Sequence, residues 1–144
     1  MGISSHSGRR RTPWAFLRSH RPGPRPHLDH RDQADQFTSA VVVGELFKGA
    51  FRSRNAARHI RNIESRVLPA LTVIPYDLDI ARVYGAIQAH LENEGRVLAD
   101  ADLQIAATAL HHGLELVTGN LRHFRRVLGL RICTALAEAR TRQQ

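Results

Sequence analysis

VLADADLQIAATALHHGLELVT, residues 97–118, carries the reading of the fold. Asp100 and Asp102 flank an alanine, directly ahead of a helix-forming, mostly apolar run. The pattern predicts a helix from about Asp102 to His112, then a strand at LELVT, 114–118. An aspartate at a helix N-terminus accepts backbone N–H bonds and faces the positive end of the helix dipole, so capping is the simplest duty for such a residue. One aspartate is enough for a cap. Two, at i and i+2, also suit a hard cation held by oxygen ligands.

Outward from this stretch the same alternation continues. Downstream lie a short helical turn at NLRHFRRV and a last strand at LRIC, ending in Cys133. Upstream, Asp79 is placed to cap a helix whose Ile80, Val83, Tyr84, Ile87 and Leu91 form one apolar stripe, and Gly95 stands where a C-terminal glycine belongs. LTVIP, 71–75, reads as a short buried strand, and NAARHIRNIESRVL, 55–68, as a helix closed by Pro69 with Ala57, Ile60 and Val67 near one face. FTSAVVV, from Phe37, reads as a strand or as a strand running into a helix over VGELFKGAF. Strands alternating with helices imply a parallel sheet covered by helices, the α/β class.

In such sheets ligands bind outside the carboxyl ends of the strands. The oxygen donors expected there are Glu45, the Asp100/Asp102 pair, and Asn120 with Thr118 beside it. Mg²⁺ or Mn²⁺ among them would activate water and neutralise a phosphodiester.

Composition limits the alternatives. The chain has 144 residues, the size of one domain, of which 42% are hydrophobic. Its single cysteine excludes an internal disulfide and points to a reducing compartment. No apolar stretch approaches the roughly 20 residues that span a bilayer, and no apolar segment follows the N-terminal arginines, so a cytoplasmic protein without a membrane partner is expected. The net charge of +8 suits an anionic partner such as nucleic acid. Neither GxGxxG nor GxxxxGK[ST] occurs.

GELFKGA at 44–50, followed by YGAIQAHLENEGRVLADADLQIAATALHHGLELVTGNLRHFRRVLGL at 84–130, resembles the PIN-domain ribonucleases, specifically the VapC toxins of toxin–antitoxin pairs. The resemblance covers about 37–133, with several motifs in the right order. It implies a Rossmann-like α/β/α fold, Mg²⁺- or Mn²⁺-dependent endoribonuclease activity, an RNA substrate, a small VapB-like antitoxin as partner, and a homodimer. By the same resemblance Glu45 and Asp102 are the family's catalytic and metal-binding carboxylates. Asp100 is a further metal ligand or neighbour, and Asn120 orients a metal or water.

The family's first strand, an apolar run ending in Asp-Thr-Asn or Asp-Thr-Ser, has no counterpart in 1–36. That segment holds four of the six prolines and seven arginines, and RPGPRP would break any element crossing it. Asp29 of HLDH lies sixteen residues before Glu45, too close for the strand, crossover and second strand between them. The expectation is therefore a basic tail without a core over 1–36, a PIN-like domain over 37–135 lacking the family's central first strand, and a C-terminal tail over 136–144. The abrupt change near Phe37, and one lysine against twenty arginines, fit a displaced reading frame fused to the family remainder.

The remaining features read structurally. His27, Asp29 and His30 are surface scatter, His111 and His112 favour a helix C-terminus, Cys133 is a small buried hydrophobe and Tyr84 packs in the core. Arg122, His123, Arg125 and Arg126 could hold RNA phosphates or form a solvated basic face, and Lys48 and Arg52 could approach RNA or antitoxin. Two other functions stay open: a degenerate toxin that binds antitoxin without catalysis, and a basic nucleic-acid-binding protein whose affinity lies in the tail.

Overall fold

The computed structural model describes residues 15–19 and 36–133. Strand β1 is Ala15–Ser19 and β2 is Gln36–Ser39, which runs straight into helix α1, Ala40–Arg52. Helix α2, Ala56–Asn62, passes into a π turn at Ile63–Val67 and a 3₁₀ turn at Leu68–Ala70. Then come β3 (Thr72–Ile74), α3 (Leu78–Asn93), α4 (Asp100–His111), β4 (Leu114–Thr118), α5 (Leu121–Phe124) and β5 (Ile132–Cys133).

The five strands form one sheet in the order β3-β2-β1-β4-β5. β2 pairs parallel with β3, and β4 parallel with β5. β1 lies between the two pairs and runs antiparallel to both, Leu17 standing opposite Phe37 on one side and Leu116 on the other. Four strands therefore point one way and the central one points against them.

This corrects the sequence reading in two respects. The sheet is mixed rather than parallel, and AFLRS, inside the segment expected to lack a core, fills the central slot. The physical reason is the alternation of its five residues. Ala15 and Leu17 are buried on one face, while Phe16 and Arg18 turn to the other. Two neighbouring ladders then satisfy its backbone groups, which a tail would leave to water. Arg18 is made tolerable by its cross-strand neighbour: its Nε donates to the buried Glu115 carboxylate at 2.7 Å, and Nη2 donates to Cys133 Sγ at 3.1 Å. The bond to Glu115 holds the Arg18 guanidinium above its ordinary pKa, against the opposing effect of burial. The expectations for 1–14, 20–35 and 136–144 lie outside the described residues.

Local signals explain most of the rest. Ser39 caps α1, its Oγ accepting from Val41 N at 3.1 Å and Val42 N at 3.3 Å, so the valines of FTSAVVV are helical rather than extended. Val42 then faces the core. α3 is capped by Asp77, two residues before the expected Asp79, its Oδ1 accepting from Ile80 N at 2.9 Å. The α3 stripe packs inward with Ile80 and Leu91 fully covered. Its end is a Schellman turn: Gly95 takes φ +66°, Gly95 N donates to Glu92 O, and Arg96 N donates to Leu91 O. β3 is a sheet edge with only Ile74 buried, and on the α2 segment Ile63 is the buried residue while Ala57 is exposed.

α4 is the most buried helix, its Leu103, Ile105, Ala106, Ala107 and Ala109 all within the core against α3, α1 and β4. Among the described residues no helix is long and apolar enough to cross a membrane.

Candidate active site

The four unidirectional strands bring their carboxyl ends to one edge of the sheet. α1 leaves that edge from β2, and the Thr118-Gly119-Asn120 turn leaves it from β4. Because β1 is reversed, its first residue, Ala15, stands at this edge opposite Thr118. No carboxylate occurs in AFLRS, so the central strand brings no acid to the site.

Asp100 and Asp102 occupy the first turn of α4. Ala99 takes the N-cap position and no side chain bonds to the free N–H groups there, so neither aspartate caps the helix. Both sit in the favourable field of the helix dipole with their oxygens turned elsewhere. Asp100 Oδ1 accepts from the Tyr84 hydroxyl at 3.1 Å, which raises the Tyr84 pKa above its ordinary value. Tyr84 thus packs on the α3 stripe and also holds Asp100, a contact that the stripe gave no sign of. Asp102 Oδ2 lies 3.6 Å from His123 Nδ1 of α5. The Asp102 side chain is 23% exposed, accessible but held between two elements.

Glu45 lies in the second turn of α1, where Lys48 Nζ reaches both its oxygens, at 2.7 Å and 2.6 Å. α1 packs against α4, so the helices bearing Glu45 and Asp102 are neighbours. Asn120 is the N-cap residue of α5, and its backbone N–H donates to the buried Thr118 Oγ1 at 3.1 Å. Arg126 Nη1 donates to Val97 O at 3.2 Å, tying the loop before α4 to the segment after α5. Arg125 and Arg126 line an open groove there with Gly95, Arg96 and Val97. His123, weighed in the sequence as a phosphate contact or part of a solvated basic face, and Lys48, weighed as a contact to RNA or antitoxin, are therefore direct partners of the acidic residues.

Residues 14–130 match the model of the PIN domain. The chain belongs to the PIN-domain family. Within that family it is 41% identical over 93 residues to ribonuclease VapC2 of Haemophilus influenzae, covering 65% of this chain and 70% of the relative. It is 38% identical over 100 residues to the tRNA(fMet)-specific endonuclease VapC of Shigella flexneri, covering 69% and 75%. Among solved structures, the VapBC2 complex of Rickettsia felis bound to a promoter DNA fragment superposes with a TM-score of 0.65 at 27% identity, over 67% of this chain and 72% of that one. FitAcB of Neisseria gonorrhoeae superposes with a TM-score of 0.65 at 28% identity, over 78% and 86%. This PIN domain therefore shares its architecture with toxins seen in complex with antitoxins.

The donor set can be tested against the divalent ion of such nucleases. Among the described residues no three His, Cys, Asp or Glu groups gather closely enough to hold a metal. Mg²⁺, however, keeps several waters and needs only one or two protein carboxylates when a substrate phosphate supplies further oxygens. Asp102, Asp100 and Glu45 are donors of the right kind for such an open site, although Asp100 and Asp102, two apart on α4, turn to different neighbours, Tyr84 and His123.

Proposed function

We propose that this PIN-domain chain is the toxin of a toxin–antitoxin pair, an endoribonuclease that cleaves RNA phosphodiester bonds and is restrained by a VapB-like antitoxin. The observation that carries the reading is the first turn of α4. Two aspartates stand there without a capping bond, with His123 facing one of them at the end of the sheet where ligands bind. The names of the VapC relatives support the substrate class, and the VapBC neighbours support the partner.

Asp102, with Glu45 and Asp100, would hold Mg²⁺ or Mn²⁺, which when bound neutralises phosphate charge and lowers the pKa of a coordinated water. The protein's own groups set the scene. Lys48 restrains the Glu45 carboxylate, Tyr84 restrains Asp100, and His123 faces Asp102. Asn120 offers an amide beside the β4 end to orient water or a phosphate oxygen. Two copies would associate as a homodimer, as the resemblance implies.

The test is RNA incubated with the purified chain and Mg²⁺ or Mn²⁺, alongside Asp102→Asn and an EDTA control. Cleavage lost in both controls supports the enzyme; cleavage that persists in either refutes it. A second reading, a toxin that binds antitoxin without cutting, is favoured by the carboxylate-free central strand. No cleavage by the parent together with retained antitoxin binding establishes that reading.

A further inference from the structure

The α2 arm lies apart from the carboxylate site and is unusually basic. Between Lys48 and Tyr76 the chain carries Arg52, Arg54, Arg58, Arg61 and Arg66, and Glu64 is its one acid. Among the described residues none of these five guanidinium groups makes an ion pair or hydrogen bond. Arg58, His59, Arg61, Asn62, Ser65 and Arg66 line one shallow groove, and the row continues through the π turn. α2 itself buries no residue. Arg58 and Arg61, three apart on α2, repel each other with no acid on that helix to offset them.

We infer that the α2 arm is a phosphate-binding surface for RNA, separate from the carboxylates on α1 and α4; the inference rests on the reading of the chain as an RNA-cleaving toxin. Three features select a nucleic acid over a protein partner. Every residue lining the groove is polar, whereas the centre of a protein interface is apolar and depleted of charge. Protein–nucleic acid interfaces are polar and strongly positive, and guanidinium groups meet phosphate oxygens through paired N–H bonds. Arg58 and Arg61, three apart on α2, stand about 5–6 Å from each other, a spacing suited to neighbouring phosphates along one strand. Phe51, 68% exposed at the end of α1 and tilted against Phe47 with ring centroids 6.5 Å apart, adds a flat apolar face on which a base of single-stranded RNA can stack. Because α2 packs on α1, the arm is carried by the same helix that bears Glu45.

The experiment uses the full-length Asp102→Asn chain, to prevent cutting, with a fluorescent single-stranded RNA in EDTA. Anisotropy gives affinity over a KCl series, before and after adding Arg58→Gln, Arg61→Gln and Arg66→Gln together. Each single substitution is also measured, and circular dichroism verifies the helix content. The expected result is about tenfold or greater weakening at low salt, with the slope of log K against log salt reduced by about 2, since each lost phosphate contact removes about 0.7. Unchanged affinity and slope in folded variants overturns the inference while leaving the RNA reading standing. Absence of RNA binding by the parent overturns both. Polyglutamate of equal length that binds the parent as tightly as RNA, and loses as much on substitution, also overturns the inference in favour of an acidic polypeptide partner.

Discussion

Leu17→Ala tests whether the central strand is a working part of the fold. Leu17 is 1% exposed, with a strand on either side and the core beneath it. Cutting its isobutyl side chain back to a methyl loses the transfer free energy of that apolar surface and leaves a cavity that rigid neighbouring strands fill poorly. Buried Leu→Ala changes of this kind cost about 2–5 kcal/mol, against a total stability of about 5–15 kcal/mol for a domain. The central position, flanked by two ladders, places Leu17 well inside that range, about 3–4 kcal/mol. Leu78→Ala is the matched control: the same chemistry at a residue 75% exposed, expected within about 0.5 kcal/mol of the parent. Urea unfolding followed by circular dichroism reads both, and an unchanged slope with a lowered midpoint identifies a change in stability. If Leu17→Ala costs no more than Leu78→Ala, residues 15–19 are not in the sheet, and the account of the central slot is wrong.

Two further outcomes follow from the contacts. A double-mutant cycle with Arg18→Met and Glu115→Gln should give a coupling of about 1–2 kcal/mol, because each single change leaves a partner poorly satisfied between strands; a coupling near zero would mean the pair contributes only geometry. Both tyrosines of the chain should ionise above the ordinary value near 10, Tyr84 through its bond to Asp100 and Tyr76 through burial. A folded pKa raised in this way means that the bond's contribution is fully present below the unfolded pKa and is lost as pH rises through the folded one. Asp100→Asn should therefore bring the Tyr84 titration down while leaving that of Tyr76 in place, read as phenolate absorbance with Tyr84→Phe as assignment; no movement would break the Tyr84–Asp100 link.

The amino-acid sequence alone determined the elements that rest on local chemistry. The α3 stripe and the left-handed turn at Gly95, the α4 run, β4 at LELVT and the buried Cys133 all follow from side-chain period, glycine freedom and apolarity within a few residues. Motif order made the family legible as well. Two local readings missed by a short distance: the cap lies at Asp77 rather than Asp79, and the valines after Ser39 coil because the serine hydroxyl binds their N–H groups. Only the tertiary structure decided the central strand, its direction, and the partners of the acids. AFLRS carries just two inward apolar residues in arginine- and proline-rich surroundings, and its strand state comes from ladders formed with segments about twenty and about one hundred residues away. A strand's sequence has period two in either direction, so nothing local distinguishes parallel from antiparallel. Likewise Tyr84 meets Asp100, and His123 meets Asp102, only because separate helices pack side by side.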